Sequence, residues 1–332
     1  MPTKDIVSFF AFVSFFPQLM AGPIERATSL LPQFYVKRTF DYAKAIDGLR
    51  QILWGLFKKV VIADNCSIIA NTIFNNSGDY SGSTLILGAL FFTFQIYGDF
   101  SGYSDIAIGT SRLFGINLMK NFSFPYFSRD IAEFWRRWHI SLNTWFRDYL
   151  YIPLGGSKCG LWIRIRNTFI IFLVSGFWHG ADWTFIAWGG LHALFFLPLL
   201  FTKKNRKNLD TVATGKMTPS TKEFFQMLTT FIIVVFAWIF FRADNMTHAW
   251  SYISGIFSSS FFSKPGIGNI KETLLFIMIF MIMEWFGREN QYAIEKIGFT
   301  WKKPFRYALY YAIVIVIFMF AGKSQEFIYF QF

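Results

Sequence analysis

The chain's 332 residues include only four histidines, His139, His179, His192 and His248, and one of them stands in an unusual solvent. His179 lies in Ser175-Gly176-Phe177-Trp178-His179-Gly180-Ala181-Asp182-Trp183, within an apolar region from about Thr168 to Phe201. An ionisable group at membrane depth is a functional candidate by default. A neutral imidazole, kept neutral by burial, can take the proton of a substrate hydroxyl while that hydroxyl attacks an acyl thioester, with no covalent enzyme intermediate. A second imidazole or an indole N–H beside the reacting carbonyl can stabilise the developing oxyanion or fix the first imidazole's tautomer. His139 and its neighbour Trp138 are the candidates for that part. His192 is expected to hydrogen-bond neighbouring helices, and His248 falls in a loop with no assigned role.

Other chemistries lack their residues. There is no Gly-x-Ser-x-Gly nucleophile elbow, and no two histidines stand at the short helical spacing of a zinc protease, so no metal site is assigned. The two cysteines, Cys66 and Cys159, form no disulfide framework and match no metal spacing. Gly155-Gly156-Ser157 lacks the spacing and the lysine of a phosphate loop. A second polar constellation, Tyr97-Gly98-Asp99-Phe100-Ser101-Gly102-Tyr103-Ser104-Asp105, interrupts an apolar context. Its Asp99, Ser101 and Asp105 either line a substrate cavity or seal a helix–helix contact that Gly98, Gly102 and Gly109 let close; both readings stay open.

The elements that position these residues follow from composition. With 54% hydrophobic residues, 45 of them Phe, and only 16% charged, the chain reads as an all-α polytopic membrane protein, since so much apolar surface could not be hidden from water. The net charge of +12 does not point to nucleic acid, because Lys and Arg cluster in short loops such as Lys203-Lys204-Asn205-Arg206-Lys207, as the positive-inside rule expects. The region around His179 is predicted to be two helical pieces, each shorter than a full crossing, with Asp182 capping the second. Asp41 to Ala63 is predicted helical with Lys58 and Lys59 snorkelling to the interface. Membrane helices are predicted from Leu85 to Ile96, resuming from Ile106 to Phe114, and over Phe224–Phe241, Leu274–Phe286 and Tyr307–Ala321. Asp130 to Leu150 is predicted to be one amphipathic helix lying at or dipping into the interface, opened by an Asp130/Glu133 capping box, with Arg136, Arg137 and Arg147 towards headgroups or an anionic ligand. Gln18, Glu25 and Arg26 follow a short apolar run and belong to an interfacial loop or a cavity mouth. Met1 to Phe16 has no cleavage site of a signal peptide. Basic loops near 202–222 and 287–306 are placed in the cytoplasm, the loop from Arg242 to Lys271 and the C-terminus outside, and one membrane domain covers 1–332.

Four ordered blocks then carry a family resemblance: Phe15-Phe16-Pro17-Gln18-Leu19-Met20-Ala21-Gly22-Pro23-Ile24-Glu25-Arg26, Asp99 to Gly109, Phe134-Trp135-Arg136-Arg137-Trp138-His139-Ile140-Ser141-Leu142, and Gly176 to Trp183 followed by Trp188-Gly189-Gly190-Leu191-His192. The chain resembles the membrane-bound O-acyltransferase (MBOAT) family, in the bacterial branch of alginate O-acetyltransferases and related polysaccharide and peptidoglycan O-acetylation proteins. The resemblance runs from near Ser8 to Phe330-Gln331-Phe332. It implies a helical bundle with a central tunnel and short re-entrant or interfacial helices, His179 as the catalytic base, and His139 at the second characteristic position. Trp138, Trp178, Asp99, Ser101 and Asp105 are the substrate-tunnel candidates. It further implies a donor thioester, acetyl-CoA or another, with no bound cofactor, and transfer across a bacterial inner membrane to an exported or cell-wall polysaccharide or a periplasmic acetyltransferase or esterase-like relay protein, in contact with membrane lipid. Family members carry several more membrane helices ahead of the Phe-Pro-Gln block. The competing expectations are D-alanyl or other acyl transfer to a cell-wall polymer, and a transporter or export scaffold in which Asp99, Asp105 and His179 relay protons.

Overall fold

The computed structural model describes residues 4–268, 270–321 and 325–328; the terminal Phe330-Gln331-Phe332 lies outside them. All regular structure among the described residues is helical. In chain order the α-helices are α1 (Ile6–Val13), α2 (Ala27–Tyr35), α3 (Tyr42–Leu56), α4 (Asp64–Asn75), α5 (Gly82–Leu113), α6 (Ile131–Arg137), α7 (Ile140–Phe146), α8 (Leu161–His179), α9 (Trp183–Phe201), α10 (Thr221–Arg242), α11 (Met246–Ile256), α12 (Lys271–Gly287) and α13 (Lys303–Met319). Four of them, α5, α8, α9 and α10, are long and apolar enough to cross a membrane. Helices α12 and α13, at 17 residues each, cover the two C-terminal apolar stretches. Phe318, Ile232 and Phe225 are examples of the large apolar side chains left exposed around the bundle, as a lipid solvent allows.

Helix α5 is the axis. Its 32 residues make a rod of about 48 Å, longer than the ~30 Å hydrocarbon core, and it runs unbroken through the polar constellation instead of pausing there. It can do so because glycines bring α3 against it backbone to backbone. A Cβ on Gly109 would stand 2.5 Å from the carbonyl oxygen of Gly48, and one on Gly102 2.8 Å from that of Gly55. Asp41 caps α3 through Lys44 N at 3.1 Å.

The close approach buries an ionic seam. Lys58 and Lys59, expected to snorkel outward, point inward from the π-helical segment Phe57–Ala63: Lys58 Nζ meets Asp105 at 2.5 Å, and Lys59 Nζ meets Asp99 at 2.8 Å and Asp64 at 2.9 Å. Lys58 is 3% exposed, because α5, not lipid, covers it. Gln51 adds a hydrogen bond to Asp105 at 2.8 Å, and Glu284 of α12 accepts from Tyr97 Oη at 2.5 Å and Trp54 Nε1 at 3.2 Å. Each buried charge thus has a partner, without which it would be expelled or neutralised.

The two ends of the bundle are tied by their own loops. At one end Ser260, Ser263 and Gly266 bond to Gly82, Ser83 and Thr84. At the other, Arg288 donates to the carbonyls of Val212 and Ala213 and Arg129 pairs with Asp210, so the two basic loops share a face, as the charge pattern predicts. Gln18 donates to the Phe12 carbonyl and Arg26 pairs with Asp148 at 3.0 Å, which makes the Phe-Pro-Gln block a brace between loops. On the basic face burial pushes the Lys120 ammonium down to about 8.

Lys58→Met strands Asp105 and should destabilise the purified protein by about 3–5 kcal/mol, whereas Lys58→Met with Asp105→Leu should recover most of that loss, read as thermal unfolding in one detergent. Because Lys120 titrates lower in the folded than in the unfolded chain, the unfolded state binds more protons between pH 8 and roughly pH 10. The stability advantage of Lys120→Met over wild type should therefore shrink as pH rises through that window.

Candidate active site

The His179 joint forms as its residues dictate, with longer arms than expected. Helix α8 begins at Leu161 and both α8 and α9 have 19 residues, enough for a crossing each; Arg164 and Arg166 in the first turns of α8 mask its start in an apolar pattern. Between them Gly180, Ala181 and Asp182 leave the helical conformation, and Asp182 caps α9 through Thr184 N at 2.9 Å. The two arms touch at glycine: a Cβ on Gly176 would fall 2.3 Å from the Phe185 carbonyl oxygen and one on Gly189 2.2 Å from that of Phe172. This hairpin sets His179 among three rings, with centroid separations of 4.9 Å to Trp178, 5.2 Å to Phe241 and 5.3 Å to Trp188.

The Asp130–Leu150 stretch departs from its prediction. The single interfacial helix is broken into α6 and α7 at Trp138-His139, where His139 takes a left-handed backbone, φ 44° and ψ 53°, uncommon for a residue with a Cβ. Helix periodicity continues across the break, which is why the pattern hides it. At the break the side chains are buried in protein: Trp138 is 3% and His139 4% exposed, Trp138 being packed on Tyr97, Phe122, Phe134 and Trp238. The capping box is half formed. Asp130 accepts from Glu133 N at 2.7 Å, but the Glu133 carboxylate turns to Arg129 and Arg137; the complete box is Ser220/Glu223 at the start of α10. Arg136 donates to the carbonyls of Asn205 and Asn208.

The break brings the two histidines to one place. Both neighbour Trp178, whose ring is 6.4 Å from His139 and 4.9 Å from His179. His139 is oriented by Asn121, a residue the sequence reading did not single out. Asn121 Oδ1 accepts from Ser141 N at 3.3 Å and Ser141 Oγ at 2.9 Å, and lies 3.0 Å from His139 Nδ1. A backbone N–H can only donate, so the shared atom is the amide oxygen; His139 Nδ1 must then carry the proton and Nε2 the lone pair. Asn121 is legible afterwards as a short amide among Phe122, Phe124, Pro125 and Tyr126. His192 has the opposite tautomer, since Trp135 Nε1 donates to its Nδ1 at 3.2 Å; it joins helices as expected. His248 lies in the first turn of α11 instead of a loop, beside Asp244 and Ser77.

The remaining tunnel candidates stand elsewhere. Asp99 accepts from Ile328 N at 2.7 Å as well as from Lys59, Asp105 is held by Lys58 and Gln51, and Ser101 Oγ turns back to the Tyr97 carbonyl at 2.6 Å. Ser101 and Asp105 line, with Lys58, Tyr97 and Glu284, a space of about 10 Å³, room for about one water. Asn121 and Ser104 line the same space, Asn121 Nδ2 donating to Ser104 Oγ at 3.2 Å, so Asn121 touches both this seam and His139; the ring of Phe100 lies 4.6 Å from that of His139.

Residues 2–237 match the family model MBOAT, membrane-bound O-acyltransferase family. The chain belongs to that family. It is 38% identical over 295 residues to the probable alginate O-acetylase AlgI of Azotobacter vinelandii, a match covering 88% of this chain and 56% of the relative. It is 35% identical over 343 residues to the peptidoglycan O-acetyltransferase of Helicobacter pylori, covering 97% and 63%, and 29% identical over 250 residues to the teichoic acid D-alanyltransferase of Bacillus subtilis, covering 71% and 61%. The chain thus spans a little over half the length of several of the curated relatives it matches.

The two tautomers differ in which ring nitrogen carries the proton. With only four histidines to assign, ¹⁵N spectra of the imidazoles should show His139 protonated on Nδ1 and His192 on Nε2. Asn121→Leu should erase the bias at His139 and leave His192 unchanged.

Proposed function

We propose that the protein transfers an acyl group, acetyl in the first instance, from a thioester on the face of the basic loops to a hydroxyl on the other side of a bacterial inner membrane, for O-acetylation of an exported or cell-wall polysaccharide, directly or through a periplasmic relay protein. The observation that carries the reading is that His139 and His179 both neighbour the Trp178 ring, in a chain of this family. Acetyl is favoured because the alginate and peptidoglycan O-acetylating relatives match at 35–38% identity over most of the chain, the D-alanyl transferase at 29%.

In this reading His179 accepts the proton of the attacking hydroxyl as the oxygen closes on the thioester carbonyl. The tetrahedral oxyanion receives a hydrogen bond from the indole N–H of Trp188, whose ring lies 5.3 Å from His179 and whose Nε1 has no acceptor among the described residues. As the intermediate collapses the C–S bond breaks, the thiolate takes the proton back from the imidazolium, and ester and thiol leave with no net proton change. His139, with its lone pair on Nε2, steadies the imidazolium that forms on His179. Asp99 and Asp105, each tied to a lysine, hold α3 to α5 and take no part in proton transfer.

The test compares wild type with His179→Ala at matched expression, reading O-acetyl content of the exported polysaccharide and the amount of polymer exported. Acetylation should fall by about 10²–10⁴ with export unchanged. Retained acetylation would remove His179 from the chemistry, and a fall in export alone would favour the scaffold. A carrier protein that copurifies and supplies the acyl group, with no response to acetyl-CoA, would favour D-alanyl transfer.

A further inference from the structure

The loop of residues 36–41, which joins α2 to α3, closes over the first turn of α3 and the end of α5 around a cavity of about 380 Å³, within the size range of small-ligand sites. It lies at the end of the bundle that carries the basic loops, since Arg112 in its wall donates to Gln291 Oε1 at 2.5 Å. Lys37, Arg38, Lys44 and Arg112 line it against one carboxylate, Asp41. Arg112 is paired with Asp47, and the Asp41 side chain accepts from Lys44 N at 3.1 Å. Lys37, Arg38 and Lys44 make no ion pair among the described residues.

Arg38 is held in place without being neutralised. Its guanidinium lies 5.8 Å from the centre of the Phe34 ring, and its stem runs along Gly115, where a Cβ would stand 3.6 Å from Arg38 Cδ. Gly115 has φ +72°, a left-handed turn after α5 that a Cβ would strain. A guanidinium fixed by its stem, beside two further unneutralised ammonium groups, is set to receive an anion.

The same wall carries side chains that belong in hydrocarbon. Val36, Phe40 and Phe114 are 65%, 79% and 50% exposed, and Tyr35 and Tyr42 stand exposed beside them in the chain. Cations interleaved with exposed aromatic and branched side chains suit the headgroup layer of a membrane, with the cations at phosphate level and the rings beside the acyl chains. Inorganic phosphate or an acidic protein would satisfy the cations and leave the apolar side chains in water. A phospholipid satisfies both.

We propose that this cavity binds one anionic phospholipid, its phosphate diester between Lys37, Arg38 and Lys44 and its chains along Phe40 and Phe114, so that the lipid joins the α2–α3 loop to the end of α5. Binding here requires no acyl transfer, so the site and the function proposed above stand or fall separately.

The experiment adds phosphatidylglycerol, phosphatidylcholine or glycerol phosphate to the delipidated full chain in a neutral detergent and counts bound molecules by native mass spectrometry. It compares wild type, Lys37→Gln with Arg38→Gln, Phe40→Ser, and Lys204→Gln with Lys207→Gln, a pair in another basic loop. Wild type should hold one phosphatidylglycerol in preference to phosphatidylcholine, and the Lys37/Arg38 double variant should bind it about tenfold or more weakly, with wild-type affinity falling as salt rises. Phe40→Ser should weaken the lipid and leave glycerol phosphate unchanged. Every substituted side chain is exposed, so the variants should unfold at the wild-type temperature. An equal loss in the Lys204/Lys207 double variant would mean general attraction to a basic surface and would overturn the site. Glycerol phosphate bound as tightly as the lipid would make the ligand a free phosphate. An acidic protein that the Lys37/Arg38 double variant releases, with phosphatidylglycerol binding unchanged, would make it a protein partner. Either result overturns the lipid assignment, as does equal affinity for phosphatidylcholine.

Discussion

Asn121 Oδ1 holds the imidazole of His139 and both donors of Ser141, and Asn121 O accepts from Ile140 N at 2.9 Å, so a single residue fixes the start of α7 and the imidazole before it. A left-handed histidine inside a membrane protein is costly, and it persists only where its surroundings over-determine it. Buried backbone groups that leave a helix need other partners, and here Asn121 supplies them. Freed from the helical path, His139 faces Trp178 across the bundle.

The hairpin of α8 and α9 solves the same problem from the other side. A turn at that depth must satisfy its own N–H groups, and the Asp182 cap does so for α9. Glycine contacts at Phe185 and Phe172 then press the arms together, so the position of His179 is a consequence of packing and not of a flexible loop. The ionic seam along α5 plays a third part. By pairing Lys58 and Lys59 with Asp105, Asp99 and Asp64, it lets α3 and α5 pack through glycines while carrying charge.

Much of this was legible in the residues. The apolar composition fixed the solvent, the glycines and Asp182 marked the joint at His179, and the four blocks pointed to the family to which the chain belongs. What was not legible shares a cause: a pattern in one chain reports which faces are apolar but not what covers them. Lys58 and Lys59 look like snorkelling residues until α5 is known to lie over them. The Asp130–Leu150 pattern keeps its three- and four-residue spacing through the break because both short helices bury the same kind of side chain. Asn121 carries no periodic signal, and its partner His139 is eighteen residues away. The start of α8 was missed because Arg164 and Arg166 lower the local hydropathy while facing the basic end of the bundle.

The claim that His139 and His179 serve one reacting centre is tested most directly by a double-mutant cycle on the acyl-transfer rate in membranes, using His139→Asn, which tolerates the left-handed backbone, His179→Ala, and the two together. Residues that act as a unit lose little more when both are removed, so the double variant should be about as slow as the slower single one. Losses that multiply would mean two independent contributions, and the shared site around Trp178 would be wrong.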